Sequence, residues 1–548
     1  MSAAPAEYVL RNCHVVTMDD ELPRAEAIAV SAGEILAVGR LDEVRMEAPG
    51  VPEIDLAGAS VLPGFIDAHT HVEMIALSRH FWIDVRDLTE PEAIVSRLLE
   101  RARGLPAEDW VVGQGTFGQK LPSKAQLDAA FPDRPAAVRW TMHKYVVNQA
   151  ALDASGIDET TSAGPGVRIQ RGSDGRPNGV LEEAWDLLAI PPYSRERLAP
   201  AIRESLRELF LRNGVTTVHE IACTSDGLRA MQGLAREREI PRLGVLLTAK
   251  PGHQPLIEIS HRVVEVLGAQ LGDNRYWVQG IKIFMDGGRD GAFRTEDLRG
   301  PADGWGLLTR LYPTLVDELI TAVRAGLQVC THAIGNLAQE IAVSAVERVH
   351  QVFPDLDHRL RIEHFFNESF DTVNLERLVA AGGLAVPNPG FVFAEPDDPA
   401  RRQPPGAAKY ALKTLDRIQG LIPGNSDTAG AQPFTTNPWF TMQCMLQLRN
   451  KNGVEINATE TVDVHTALKA FTVDAAYATK QEAQKGRIKP GYLADLTVVD
   501  RDPFDTPADE FDRVRTLAAV VGGEVVYGSF EGDPPSGATA DFIASAAQ

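Results

Sequence analysis

Eight short apolar segments recur between Phe65 and Asp427, and this repetition constrains the fold more than any other feature of the chain. They are FIDAHTH, VTTVHEIAC, RLGVLLTA, GIKIFMDG, LQVCTHAIG, LRIEHFF, GLAVPNP and LIPGNSD. Each has the length of a buried strand. Amphipathic stretches separate several of them, among them ERLAPAIRESLRELFLRNG, TLVDELITAVRAG and LAQEIAVSAVERVHQVF. Alternating strands and helices pair in parallel, and eight such units predict an α/β fold, a (β/α)8 or TIM barrel, over residues 61–479. The stretch 84–194 is too long for one strand-to-helix link. It carries strand-like runs of its own, DWVVGQGTF and AAVRWTMHKYVV, and reads as an insertion on the rim after strand one.

The two chain ends share a different texture. YVLRNCHVVTM and AEAIAVSAGEILAVGR near the start, and ADLTVVDRDPF and LAAVVGGEVVYGSF near the end, are strands broken by Gly turns. Neither end has enough strands for a stable sheet. The expectation is that 1–60 and 480–530 meet as one small β-sandwich, with the barrel inserted between them. The small, polar residues 531–548 read as a flexible tail.

Bulk properties exclude several classes. The 548 residues carry a net charge of −21, which disfavours nucleic acid and anionic membranes as partners. Cys13, Cys223, Cys330 and Cys444 form no CxxC pair, so neither a disulfide framework nor a thiolate zinc site is expected. No signal-peptide pattern and no run of about 18 apolar residues occurs, which makes the cytoplasm the default location. The Gly-rich stretches GGRDGAF and VVGQGTFG lack the nucleotide-binding patterns, and no G-x-S-x-G elbow is present.

The strand ends carry the chemistry. His69 and His71 close strand one. Lys282 comes from strand four, His332 from strand five, His364 from strand six and Asp427 from strand eight. In a barrel these C-terminal ends form the mouth where active sites sit. Neutral imidazoles with a carboxylate suit a divalent transition metal. Asp286, four residues after Lys282, competes with it as a ligand.

VLPGFIDAHTH, KIFMDG, THAIGN, RIEHF, GNSD and KGRIKPGYLADLTVVD together resemble the amidohydrolase superfamily, in the large branch that includes N-substituted formamide deformylase. The resemblance runs from about Tyr8 to about Phe530. It implies a first metal on His69, His71 and Asp427, and a second on His332 and His364. It also implies that Lys282 is carboxylated and bridges the two through its carbamate. Asp427 would further take a proton from the nucleophilic water. Two divalent ions are implied, zinc first, with manganese, iron and nickel chemically compatible. The chain departs from the branch at Asn336, at Asn425 and in RDGAF after MDGG, positions expected to bear on the substrate.

Secondary candidates are His143, expected to face the substrate from the insertion, and His219, Asn336 and Phe117, possible in a pocket wall. The aromatic residues Phe81, Trp82, Phe391 and Phe393 are core or pocket candidates. The function expected is metal-dependent hydrolysis of an amide, formamide or urea-like C–N bond of a small molecule. The alternatives are a single-metal deaminase or cyclic-amide hydrolase, and a non-catalytic ligand-binding barrel. A homo-oligomer is compatible with either.

Overall fold

The computed structural model describes residues 7–222, 224–251, 256–268, 271–295, 304–367, 371–398, 409–429 and 432–530. The expected tail 531–548, Cys223 and His253 lie outside these residues. Seven strands pair in parallel, in the order Phe65–Thr70, Val215–Ala222, Arg242–Lys250, Tyr276–Phe284, Gln328–His332, Arg361–Glu363 and Leu384–Val386. These are the first seven segments read from the sequence. Almost all of their residues are buried, as parallel strands covered on both faces require. Amphipathic helices follow, among them Ser225–Glu237, Tyr312–Arg324 and Asn336–Val352.

The eighth segment, residues 421–427, is not a regular strand. Pro423 has no N–H to give to a ladder. At Gly424 an added Cβ would lie 2.8 Å from the Phe471 ring, so only glycine fits. The segment still fills the gap between strands one and seven. Ala68 N donates to Gly424 O (3.1 Å), and Asp427 N donates to His69 O (2.8 Å). On the far side the links are side chains. Asn425 Nδ2 donates to Pro387 O (2.7 Å), and Asn388 Nδ2 donates to Asn425 Oδ1 (2.6 Å). Asn425, a departure expected to bear on the substrate, is 1% exposed and closes the ring instead.

The rim insertion forms its own six-stranded sheet, ordered Arg168–Arg171, Pro177–Glu182, Lys144–Val147, Ala136–Arg139, Val111–Gln114, Ile83–Asp84. AAVRWTMHKYVV, read as one strand, is an antiparallel pair joined by a turn, with Arg139 opposite Tyr145.

The chain ends build two further sheets. One has four strands, from Glu34–Gly39, Ala27–Ser31, Tyr8–Arg11 and Glu53–Asp55. The other has six and joins both termini, with Leu496–Val499 antiparallel to Ser60–Pro63. A single buried cluster takes Leu10, Ile28 and Val30 from the first sheet and Val15, Val61, Leu496 and Val520 from the second. Arg242, which opens barrel strand three, binds Asp495 through two buried hydrogen bonds of 2.7 and 2.9 Å and ties this module to the barrel floor. No described helix is long and apolar enough to cross a membrane.

Candidate metal centre

The six residues read from the strand ends converge at the barrel mouth. His69 Nε2 lies 3.2 Å and His71 Nε2 3.5 Å from one oxygen of Asp427, and His364 Nδ1 lies 3.4 Å from the other. The His332 and His364 rings are 4.4 Å apart. The donor atoms of His69, His364 and Asp427 fall within 4.8 Å of one another. This tightest group crosses the two expected ligand sets, taking His69 and Asp427 from the first and His364 from the second. His71 is the N-cap of the helix Val72–His80 rather than the last strand residue, yet its ring stays 5.6 Å from that of His69.

Two of the six sit on backbone that non-glycine residues seldom adopt. His364 has φ +68° and Asp427 φ +40°, at a cost of order 1–2 kcal/mol each. The neighbouring structure over-determines both. Asp67 Oδ1 accepts from His69 N and Ser426 N, both at 3.1 Å, and Ser426 Oγ donates to Thr70 Oγ1. DAHTH and NSD are thereby interlocked.

Protonation favours cation binding. Burial pushes His71 down to about 4 and His364 down to about 3, so both rings are neutral at pH 7. Burial pushes Asp427 up, but His69 and His364 outweigh it and hold the carboxyl well below its ordinary range. His69 Nδ1 donates to Glu363 Oε2 at 2.6 Å, which leaves its Nε2 lone pair facing Asp427. Glu363 is in turn held by Arg361 through bonds of 2.8 and 3.1 Å. Burial raises the Glu363 carboxyl, yet Arg361 and His69 keep it well below the usual carboxylate value. A carboxylate behind a histidine is the arrangement that orients metal-binding imidazoles.

Three buried atoms test whether the residues suit a metal. His69 Nε2, His71 Nδ1 and Lys282 Nζ have no hydrogen-bond partner among the described residues. An unsatisfied buried polar atom costs about 1–3 kcal/mol. A cation beside Asp427 would take the lone pair of His69 Nε2, whereas His71 faces Asp427 through Nε2 and not through its unpartnered Nδ1. Lys282 is 1% exposed, and burial lowers its ammonium below the ordinary value. Asp286, the competitor, is occupied elsewhere: it accepts from Gly335 N (2.8 Å), Ile334 N (3.0 Å) and Phe293 N (3.0 Å) and staples two rim loops.

Above the centre lies a cleft of about 800 Å³, counting the part open to solvent. Phe117, Trp140 and Phe391 give it an aromatic wall. His143 lines it too, with its ring 5.4 Å from that of His332 and Nδ1 donating to Glu183 at 2.8 Å. Arg289 and Asp290, from the divergent RDGAF, also line it. His219 and Asn336 are not in the wall. His219 Nδ1 donates to Asp67 O (3.1 Å), and Asn336 pairs with Thr295 (2.9 and 3.0 Å). Phe81 stacks on Tyr193, Trp82 on Trp185, and Phe393 on Phe434 and Phe440, all as packing. The sequence reading assigned no role to Arg361, Glu363, Asp67, Glu183 or Asn388. The one available signal was charge inside apolar strands, at RIE and FID.

The amidohydrolase family model matches residues 52–527. The chain is 28% identical over 536 residues to YtcJ of Bacillus subtilis (strain 168), named as an amidohydrolase, covering 94% of this chain and 98% of that one. It is 26% identical over 545 residues to the N-substituted formamide deformylase of Arthrobacter pascens, covering 95% and 98%. Among solved structures, a metal-dependent hydrolase from Pyrococcus horikoshii OT3 superposes with a TM-score of 0.70 at 21% identity, over 92% of this chain and 99% of that one. With seven parallel strands curled around a buried histidine–carboxylate cluster and a family match across most of its length, the chain belongs to the amidohydrolase family.

Proposed function

We propose that the protein is a metal-dependent hydrolase of an uncharged C–N bond, in an amide, formamide or urea-like group of a small molecule. The carrying observation is the convergence of His69, His71 and His364 ring nitrogens within 3.2–3.5 Å of the buried Asp427 carboxylate, with His69 Nε2 lacking a hydrogen-bond partner among the described residues. His69, His71 and Asp427 would hold one divalent ion, and His332 and His364 a second, with Lys282 as its carbamate between them. Zinc is the first choice. Bound there, such ions supply acidified water and a polarised carbonyl.

The chain's own groups do the rest. Asp427 would accept the proton released as water attacks and pass it to the leaving nitrogen. Arg361 and Glu363 would fix the His69 tautomer. His143, braced by Glu183, would donate to the substrate from the rim, and Phe117 would pack on its apolar part. The charged wall residues are paired, Lys144 with Asp290 (3.0 Å) and Arg289 with Glu395, which favours a neutral substrate.

The N-substituted formamide deformylase relative, aligned over nearly its full length, supports the C–N bond class. In this reading 61–479 is the catalytic barrel with 84–194 as its rim, and 1–60 plus 480–530 are a supporting β-sandwich. The net charge of −21 disfavours nucleic acid and anionic membranes as partners and so supports a small-molecule substrate. The test is a screen of formamides, anilides and phenylureas on metal-loaded protein, read by released amine. Hydrolysis of at least one class, lost in Asp427→Asn with metal still bound, is expected. Near-normal turnover in that variant would overturn the assignment.

A further inference from the structure

Behind His364 stands a chain of three buried amides, Asn367, Asn388 and Asn425. Asn367 follows barrel strand six, Asn388 follows strand seven, and Asn425 lies in the irregular eighth segment. An amide side chain has one accepting end and one donating end, and backbone groups settle which way each of the three faces. The Pro387 and Pro423 carbonyls only accept, so Asn425 Nδ2 turns to them, at 2.7 and 3.3 Å. Asn425 Oδ1 is left to accept from Asn388 Nδ2, at 2.6 Å. At the other end, the backbone N–H of Asn388 only donates, and Asn367 Oδ1 accepts it at 3.0 Å. Asn367 Nδ2 then donates to Asn388 Oδ1 at 2.7 Å. Both ends agree: Asn388 turns its Oδ1, not its Nδ2, toward His364.

His364 Nδ1 lies 2.7 Å from that oxygen and 3.4 Å from Asp427 Oδ2. A lone pair on Nδ1 would face lone pairs on two oxygens, so Nδ1 carries the proton and donates to Asn388. In a neutral imidazole the remaining lone pair is then on Nε2.

We infer that Asn388, held by Asn367 and Asn425, is a positioning residue that makes Nε2 the metal-binding nitrogen of His364. This rests on the metal-dependent hydrolase reading above. His69 is fixed in the same tautomer by the Glu363 carboxylate, whereas His364 is fixed by a neutral amide. Asn425, a departure from the branch, thus acts on the metal centre through Asn388.

The tautomer is read on chelator-stripped wild type labelled with nitrogen-15 histidine, from long-range proton–nitrogen correlations of the rings, with His364 assigned by its absence in His364→Gln. A protonated Nδ1 and an unprotonated Nε2 are expected; the opposite tautomer would overturn the inference. Zinc affinity is measured by chelator competition on folded wild type, Asn388→Leu and Asn388→Asp. Asn388→Leu removes the acceptor and is expected to weaken one of the two ions about 10–100-fold. Asn388→Asp also breaks the bond to Asn425 but keeps an acceptor for Nδ1–H, and is expected to recover most of that loss. A Leu variant within about twofold of wild type, or an Asp variant as weak as the Leu variant, would reduce Asn388 to a scaffold role and overturn the inference. If Asn388→Leu does not fold, the wild-type tautomer decides. A wild type that takes up no zinc refutes the hydrolase reading, while the tautomer, measured without metal, still decides the role of Asn388.

Discussion

Replacing Glu363 by Gln removes the charge that stands between Arg361 and His69. The guanidinium and carboxylate are both fully buried, with contacts of 2.8 and 3.1 Å. Unit charges about 4 Å apart at an effective dielectric of about 20 attract by about 4 kcal/mol. That agrees with the roughly 3–5 kcal/mol lost when one member of a buried pair is removed. Chelator-treated Glu363→Gln is therefore expected to unfold in urea about 3–5 kcal/mol more easily than wild type. Glu363→Gln also removes the anionic acceptor of His69 Nδ1–H, and such losses weaken metal affinity about 10–100-fold. Titration with zinc against a competing chelator, on folded protein at low temperature, reads the second effect separately. The pH sign follows from a depressed carboxyl: the Glu363 contribution is complete above about pH 4.3 and is lost as pH falls toward its lower folded value. A folded Glu363→Gln variant with metal affinity within twofold of wild type would refute the role given to His69 Nε2.

Three further outcomes are expected. Asn425→Ala removes the side-chain bridge to Pro387 and Asn388 and should cost about 2–4 kcal/mol in urea unfolding; a loss below about 0.5 kcal/mol would mean that the ring is closed by other contacts. Burial raises Asp474 to about 6, so the native state holds its proton while the unfolded chain has released it; metal-free stability should fall by up to about 3 kcal/mol between pH 4 and 6, and Asp474→Asn should flatten that slope. Lys282→Met should lower bound metal below two equivalents and turnover at least about a thousandfold, with added short carboxylates restoring part of it; full metal loading at normal turnover would rule out a bridging Lys282.

The barrel was legible because its signal is local. Apolar segments of strand length, separated by amphipathic stretches, can be found without knowing any long-range contact, and seven of the eight became strands. The eighth did not, because Pro423 and Gly424 deny it a ladder and Asn425 closes the ring through its side chain instead. The hairpin at residues 136–147 was hidden because its turn, Trp140 to His143, contains no Gly, Pro, Asn or Asp. Histidines at strand ends were recognisable by type and position. Glu363 was not, because its partner His69 is 294 residues away and a charge within a strand looks like a surface residue until that contact forms. His71 lies beside His69 although the chain is already turning into a helix there. Asn336 and Asn425 show the converse: polar departures near a site can serve the scaffold, and only their partners reveal it.

The most direct measurement is the metal content of the purified protein, by elemental analysis after dialysis against buffered zinc, with chelator-stripped protein and His69→Ala alongside. Two divalent ions per wild-type chain, fewer in His69→Ala, and C–N hydrolysis that disappears on stripping and returns on reloading are expected. A folded wild-type chain that takes up no divalent ion at micromolar zinc would contradict the convergence of His69, His71, Lys282, His332, His364 and Asp427 on a metal.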